Sequence, residues 1–281
     1  MVMVPSEQLI ERLSAADYRP PENLIYNDVL KLHPLYDRMV FRANVVLVGP
    51  KGVGKSLSVA SYASLKKIPL VTFDCSEDVR RSHLLGTLVL RGNHTPFILG
   101  PLTSAFEVAN EAGQCILVLE EVNALTAQQQ KLLNAATDFR RKIEVPEAKK
   151  VFRLENGAKL WIVGTMNETV YGGVYALNED LKSRFRMIQL GYLEHDQEEA
   201  VVNSVFGKKA ETLPVDKVLT LAQETRQRAI EYPMSTRDVV QVLEDIEIMG
   251  PKDAFRVLFG KFEGEDQKTV QERVKSLFGR I

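Results

Sequence analysis

The sequence lacks several features that mark specialised classes of protein. It has only two cysteines, Cys75 and Cys115, which flank strand-like runs and read as small buried residues, so a disulfide-stapled scaffold is excluded. Its four histidines show no metal-ligand spacing. No apolar run approaches the roughly 18 residues of a membrane-spanning helix. A net charge of −1 gives no overall basic field that would attract nucleic acid or an anionic membrane.

The composition is otherwise that of a globular protein. Hydrophobic residues make up 45% and charged residues 26% of the 281 residues, which is enough chain for one large domain or two smaller ones. Glu7 and Glu11 interrupt the N-terminus where a secretory signal would need its apolar core. We therefore expect a cytoplasmic protein.

Residues 49–56 form the most informative motif. They read Gly-Pro-Lys-Gly-Val-Gly-Lys-Ser after the apolar run 45–48, and they fit the phosphate-binding loop pattern G-x-x-x-x-G-K-S/T, known as Walker A. The backbone N–H groups of such a loop surround phosphate oxygens, Lys55 reaches the β- and γ-phosphates, and the Ser56 hydroxyl binds Mg²⁺. The helix expected to follow adds its positive N-terminal end. The predicted nucleotide-binding residues are Gly49, Pro50, Lys51, Gly52, Val53, Gly54, Lys55, Ser56 and Leu57.

Short apolar runs alternate with helical patterns, which is typical of a parallel sheet covered by helices on both faces. Strands are predicted at 45–48, 70–73, 116–119, 160–163 and 187–190, and helices at 55–66, 102–112 and 126–141. After about residue 194 the strand signals stop. Helices are predicted there at 195–206, 214–231, 235–249, 251–260 and 266–278. The sequence thus predicts an α/β P-loop domain over residues 1–193 and a small all-α lid domain over residues 194–281.

The third predicted strand ends in two carboxylates, Glu120 and Glu121. Because the carboxyl ends of parallel strands share one edge, both side chains should lie beside the phosphate loop. One carboxylate can hold the Mg²⁺ shell while its neighbour polarises the attacking water. By position, Ser56 and Glu120 are the predicted metal residues and Glu121 is the predicted general base. An ordinary acidic loop after a buried strand is the alternative.

Three further positions are weak signals when taken singly. Asn167 ends the fourth predicted strand, where its amide could orient water or simply close a turn. Arg184 precedes the fifth strand, and Arg237 lies in the first turn of a helix that Ser235 could cap, with Asp238 at the capping-box position. Each arginine alone reads more simply as a solvated surface charge.

Taken in order along the chain, these motifs resemble the AAA+ ATPases and, within them, the MoxR/NorQ-type branch related to dynein. The resemblance covers roughly residues 20–260 and rests on residues 49–56, Glu-Glu-Val-Asn at 120–123, Gly-Thr-Met-Asn at 164–167, Ser-Arg-Phe at 183–185 and Ser-Thr-Arg at 235–237. It implies that Asn167 is the first sensor, Arg184 an arginine finger and Arg237 the second sensor on the lid. Lys55 and Glu121 complete the catalytic set. In one departure, this chain has Glu120 where the family usually has Asp.

The resemblance implies Mg²⁺-dependent ATP hydrolysis in a ring, most simply a hexamer, because the arginine finger of this family acts across a subunit boundary. Its MoxR-like members act as chaperones that remodel a protein client, commonly alongside a von Willebrand A-type adaptor. The alternative is a nucleic-acid-directed AAA+ motor or a restriction-type nucleotidase. A small-molecule P-loop kinase would poorly explain Glu121, Asn167 and Arg184. A nucleotide-dependent scaffold with negligible turnover remains open because of Glu120.

Two predicted hairpins lie outside the nucleotide motifs, one pairing 88–90 with 96–99 and one spanning about 142–154. MoxR-like and related branches carry pore-lining hairpins at these positions, so we expect them to transmit nucleotide state to the client; merely covering the sheet is the alternative. Basic residues near the second hairpin could contact nucleic acid. Interleaved acids and the lack of aromatic platforms favour a solvated face or a charge seam between subunits. The basic residues are Arg140, Arg141, Lys142, Lys149, Lys150, Arg153 and Lys159. Residues 23–26 are a candidate for contact with adenine.

Overall fold

The computed structural model of the protein describes residues 17–19, 32–39, 43–167, 175–228 and 230–279. The candidate adenine contact at 23–26 lies outside the described residues. The chain divides into two compact units. The first contains the described residues up to Gly49 together with Lys55–Leu190, and the second contains Pro50–Gly54 together with the described residues from Gly191 onward.

The strands all belong to the first unit. They are β1 (Asp17–Arg19), β2 (Asn44–Val48), β3 (Leu70–Asp74), β4 (Gly86–Leu88), β5 (Phe97–Leu99), β6 (Gln114–Glu120), β7 (Lys142–Val145), β8 (Lys150–Arg153), β9 (Lys159–Met166) and β10 (Phe185–Gln189). The α-helices of the same unit are α1 (His33–Met39), α2 (Lys55–Lys66), α3 (Arg81–Leu85), α4 (Pro101–Ala112), α5 (Ala127–Thr137) and α6 (Glu179–Lys182).

Six strands form one sheet in the order β1-β3-β6-β9-β2-β10. The five strands from β3 to β10 run parallel, and β1 pairs antiparallel with β3 at one edge. All five predicted strands are confirmed. Their runs of Val, Ile and Leu suit strands that are buried on both faces. Because the strands are parallel, the ends of β2, β6 and β9 meet at one edge of the sheet.

The sheet separates two hydrophobic clusters, and successive residues of a strand enter different clusters. On β6, for example, Leu117 joins one cluster and Val118 the other. The second cluster contains the aromatic rings of Tyr36, Tyr62 and Trp161, which pack edge to face with ring centroids 5.2–5.6 Å apart. This aromatic packing fixes α2, which begins at the last residues of the phosphate loop, against the sheet.

Two antiparallel hairpins project from this core, as predicted. Strands β4 and β5 form the first, extended by a bridge between Arg91 and His94, and strands β7 and β8 form the second. The helix predicted to run to residue 141 instead ends at Thr137. It stops there because Asp138 takes an extended conformation, with φ −76° and ψ 172°, and the chain enters β7 at Lys142.

The second unit is helical. Its α-helices are α7 (His195–Phe206), α8 (Val215–Gln227), α9 (Thr236–Met249), α10 (Pro251–Phe259) and α11 (Gly264–Phe278). Helix α8 ends four residues short of its predicted limit, at Gln227. The core of the unit also contains a bidentate ion pair in which Arg226 donates to both oxygens of Glu198, at 2.9 and 2.8 Å. In the described part of the chain, no helix is long and apolar enough to cross a membrane.

Candidate nucleotide site

The phosphate-loop motif needs glycine for two distinct physical reasons. Gly52 and Gly54 have φ values of 77° and 87°, a conformation that L side chains rarely adopt. Gly49 instead allows a close approach, because a Cβ built on it would lie 2.2 Å from the carbonyl oxygen of Leu190. The loop is therefore shaped so that its backbone, rather than side chains, is presented to a ligand.

Lys55 is the first residue of α2 and is buried, with 9% of its surface exposed. Its Nζ donates to the carbonyl oxygen of Gly49 at 2.9 Å and to Oδ1 of Asn167 at 3.1 Å. The lysine predicted to bind phosphate and the predicted first sensor are thus in direct contact. The ends of β2 and β9 bring them together, since these two strands are neighbours in the sheet.

Glu120 is the last residue of β6, and its carboxylate reaches Ser56. The Ser56 hydroxyl donates to Glu120 Oε2 at 2.6 Å, and the hydroxyl of Thr165 donates to the same oxygen at 2.5 Å. Ser56 and Glu120, the two predicted metal residues, are therefore adjacent. Their hydroxyl and carboxylate oxygens are the hard donors that Mg²⁺ prefers.

Glu121 leaves the strand in a strained conformation. Its φ and ψ of 51° and 47° are left-handed, which is uncommon for a residue with a long side chain. Its backbone N–H donates to Thr165 Oγ1 at 3.2 Å, and its side-chain Oε1 accepts from Nδ2 of Asn167 at 3.3 Å. The strain turns this exposed carboxylate towards Asn167, so the predicted base and first sensor are also in contact.

These contacts define a group that we call the strand-end network. It consists of Lys55, Ser56, Glu120, Glu121, Thr165 and Asn167. Thr165 was missed as a site residue by sequence reasoning. No sequence pattern pointed to it, because its position beside the acidic pair follows from the register of β6 and β9, in which Leu119 pairs with Gly164.

The donor set fits Mg²⁺ bound together with a nucleotide. Mg²⁺ is usually held by one or two protein oxygens, with phosphates and water filling the other positions. Within the described ranges, no group of three or more His, Cys, Asp or Glu side chains could hold a metal ion alone. The neighbouring Cys75 does not add a thiolate, since burial and the charges of Asp74, Glu120 and Glu121 raise the pKa of its thiol.

Arg184 does not join the strand-end network. It lies between α6 and β10, and its backbone N–H donates to the carbonyl oxygen of Leu181 at 3.0 Å. The guanidinium Nε is buried and finds no hydrogen-bond partner among the described residues.

Arg237 lies in the second unit, exposed in the first turn of α9. The predicted capping box is confirmed: Asp238 N–H donates to Ser235 Oγ at 3.4 Å, and Ser235 N–H donates to Asp238 Oδ2 at 2.8 Å. The loop segment Pro50–Gly54 belongs to the same unit. A Cβ built on Gly52 would lie 2.3 Å from Ser235 Oγ and 3.4 Å from Arg237 Cβ, so this glycine lets the start of α9 approach the loop.

We call residues 140–159, which include the second hairpin and the basic residues around it, the basic hairpin. Four of them are ion-paired with nearby carboxylates at 2.6–3.4 Å: Arg140 with Asp138, Lys142 with Glu144, Lys150 with Glu107, and Arg153 with Glu155. A fifth, Arg141, donates instead to Asn44 Oδ1 at 3.0 Å and to two backbone carbonyls. This surface is therefore largely neutralised by its own acids.

The fold and the strand-end network define a P-loop nucleotide-binding protein of the AAA+ class. Residues 44–185 match the family model described as the AAA domain of the dynein-related subfamily, and the chain belongs to this family of ATPases. The match confirms the resemblance read from the sequence motifs.

Several uncharacterized proteins are similar to this chain over most of its length. An uncharacterized protein of Staphylococcus aureus (strain NCTC 8325 / PS 47) is 26% identical over 93% of this chain and 98% of its own length. The uncharacterized protein YojN of Bacillus subtilis is 27% identical over 87% of this chain and 82% of its own. Another relative, from Staphylococcus epidermidis, is matched over 65% of its length.

Among solved structures, NtrX from Brucella abortus has a TM-score of 0.54 at 15% identity, over 92% of this chain and 64% of that one. Its complex with ADP has a TM-score of 0.52, also at 15% identity, over 90% and 69%. At this identity the similarity shows the fold alone.

Proposed function

We propose that the protein is a Mg²⁺-dependent ATPase that assembles into a ring, most simply a hexamer. In this proposal ATP binding and hydrolysis drive the remodelling or activation of a protein client, as in a MoxR-like chaperone. Residues 1–193 form its nucleotide-binding domain and residues 194–281 its lid. The cytoplasm is the expected location.

The observation that carries the proposal is the chain of hydrogen bonds from Lys55 through Asn167 to Glu121. An ammonium can only donate and a carboxylate can only accept, so the Asn167 amide satisfies both in a single orientation. Asn167 therefore bridges the lysine and the carboxylate through one side chain. This link between the phosphate-binding lysine and the candidate base supports a hydrolase over a scaffold that only binds nucleotide.

Each residue of the network has a role that follows from its chemistry. Lys55 holds the negative charge of the transferred phosphoryl group. Ser56 and Glu120 would hold the Mg²⁺ ion, which when bound neutralises charge on the phosphate oxygens. Glu121 accepts a proton from the attacking water. The Asn167 amide orients both the Glu121 carboxylate and this water. Arg237, on the lid, is proposed as the second sensor.

Arg184 supports the ring. Its side chain is only half-buried and lies outside the strand-end network of its own chain, as expected of a guanidinium that serves a neighbouring subunit. An arginine finger that stabilises charge on the phosphoryl group contributes about 10³–10⁵ in rate. The isolated chain should therefore bind ATP but hydrolyse it poorly.

Contact with a client is proposed for the two hairpins. On the first, Leu88 and Leu90 are 49% and 75% exposed, so the hairpin presents apolar side chains that a partner could cover. A von Willebrand A-type adaptor is proposed alongside the client because the MoxR-like branch commonly uses one.

The test is ATP turnover as a function of protein concentration, on the wild type, on Arg184→Ala and on Arg186→Ala as a matched control. Arg186 lies two residues further on, exposed on β10. We expect turnover per chain to rise cooperatively with concentration in the wild type and in the control. We expect Arg184→Ala to lose about 10³-fold or more while still binding ATP. Turnover that is independent of concentration and insensitive to Arg184→Ala would refute the shared site.

A further inference from the structure

We propose that Thr165 is a positioning residue for both acidic residues, and that it adapts the site to a glutamate at position 120. The inference rests on the proposed ATPase function. It assigns to one buried hydroxyl the task of fixing the carboxylate of Glu120 beside Ser56 while supporting the strained backbone of Glu121.

The Thr165 hydroxyl uses both of its hydrogen-bonding capacities at once. It donates its proton to Glu120 Oε2 at 2.5 Å and accepts from the Glu121 N–H at 3.2 Å. The residue is only 2% exposed, so water cannot easily replace these bonds. A hydroxyl is the smallest side-chain group that can donate and accept in this way.

The length of Glu120 explains why such a clamp is needed. A glutamate has one more rotatable bond than an aspartate, so its carboxylate samples more positions unless it is held. Here Oε2 receives two hydroxyl hydrogen bonds, from Ser56 on one side and Thr165 on the other. Oε1 accepts no hydrogen bond in the described part of the chain, so this oxygen remains available to Mg²⁺ or to a water bound to it. Oε2 thus fixes the position of the carboxylate, while Oε1 remains available for a ligand.

The consequence is tested by Thr165→Val, which keeps the shape and removes the hydroxyl, and by Thr165→Ser, which restores it. Loss of such an outer partner costs about 10–100-fold in activity or metal affinity. We expect Thr165→Val to lower kcat/KM for ATP by about that factor, and Thr165→Ser to recover most of it. The matched control is Thr103→Val, which removes another buried threonine hydroxyl, bonded to the Leu85 carbonyl at 2.8 Å.

A second readout does not depend on turnover. Binding of a fluorescent ATP analogue is measured with EDTA and then with Mg²⁺, and the gain in affinity on adding Mg²⁺ is compared among variants. We expect Thr165→Val to reduce this gain about 10-fold while leaving the affinity in EDTA unchanged. An equal loss in both conditions would mean that Thr165 only supports the fold, and would overturn the proposal.

The link to Glu120 is tested by repeating Thr165→Val in a Glu120→Asp background. An aspartate has one rotatable bond fewer and depends less on Thr165 for its position. In this background the loss caused by Thr165→Val should therefore fall to less than about 3-fold. Fully additive losses would overturn the adaptation to glutamate. If the wild type itself hydrolyses no ATP at any concentration, the proposed function fails instead, while the effect of Thr165→Val on Mg²⁺-dependent binding still tests Thr165.

Discussion

The strand-end network and the basic hairpin both concentrate charged side chains in the first unit, but they hold these charges in different ways. In the strand-end network, Glu120 accepts hydrogen bonds from two hydroxyls and Glu121 accepts one from a side-chain amide. Among the described residues, neither carboxylate forms an ion pair. On the basic hairpin, Lys142 and Lys150 each lie within 3.0 Å of a carboxylate.

This difference separates a charge that is available to a ligand from one that is not. Neutral donors fix the position of a carboxylate without cancelling its field, whereas an opposite charge nearby cancels most of it. An ion pair on an exposed surface is also worth little and is screened by salt. We infer that the strand-end network is arranged for a ligand and that the basic hairpin is arranged for solubility or for contact between subunits.

Among the variants that compare these two regions, Glu121→Gln should have the largest effect. The substitution keeps an oxygen that can accept from Asn167 Nδ2 but removes the base, so ATP binding should survive while kcat falls by about 10²–10⁴-fold. The control is Glu107→Gln, which removes a carboxylate paired with Lys150 of the basic hairpin, and which should leave kcat unchanged. Similar losses in steady-state turnover for both variants would break the comparison.

Arg141 differs from the ion-paired residues of the basic hairpin, because its guanidinium forms hydrogen bonds with neutral groups, as the carboxylates of the strand-end network do. It donates to Asn44 Oδ1 and to the carbonyls of Ala136 and Leu160, and burial lowers the pKa of its guanidinium. We expect Arg141→Met to cost about 2–3 kcal/mol in the free energy of unfolding, measured with urea, because buried acceptors lose a charged donor.

The neighbouring variant Arg140→Met is the control for Arg141→Met. Arg140 is exposed and paired with Asp138, so its removal should change the unfolding free energy much less. ATP turnover per folded chain should be normal in both variants. A catalytic defect in Arg141→Met that is not explained by stability would assign it to a site rather than to the fold.

The sequence predicted most of the fold and named candidate site residues that lie together in the structure, but it did not show how they are held. The apolar runs predicted the five parallel strands, and the Walker A motif predicted the position of the phosphate loop. The left-handed turn at Glu121 and the double use of Thr165 Oγ1 were not predictable from those patterns. They depend on the register between β6 and β9, which is a tertiary property.

The same limitation explains why the basic hairpin looked more cationic in sequence than it is in space. Glu144 and Glu155 were visible as interleaved acids, but the pairing of Lys150 with Glu107 joins residues that are 43 positions apart. Only the packing of α4 against β8 brings them together. Charge patterns along a chain therefore overestimate the field that a folded surface retains.

A smaller effect on stability is expected when the pH is lowered, through Asp138, which lies just before the basic hairpin. Hydrogen bonds from Arg140 hold the pKa of Asp138 below its ordinary value of 3.8. A depressed carboxyl pKa stabilises the folded state above the ordinary value, and this contribution disappears as the pH falls through the folded-state pKa. Urea midpoints of wild type and Asp138→Asn should therefore differ at pH 6, and the difference should disappear only as the pH falls below 3.8 and through the lower folded-state pKa. A difference that persists at the lowest pH would show that the carboxylate charge is not responsible.

The smallest effect should come from Lys142→Gln and Lys150→Gln. Because each lysine is already paired with a carboxylate, its removal should change the unfolding free energy by no more than about 0.5 kcal/mol. ATP turnover of the wild type should also be unaffected by added double-stranded DNA at low salt, since paired lysines release few counterions from phosphates. DNA-stimulated turnover that falls steeply with salt and is lost in these variants would favour a nucleic-acid-directed motor. That result would also show that DNA phosphates can replace the carboxylates paired with these lysines. The difference in available charge between the two regions would then exist only when no nucleic acid is bound.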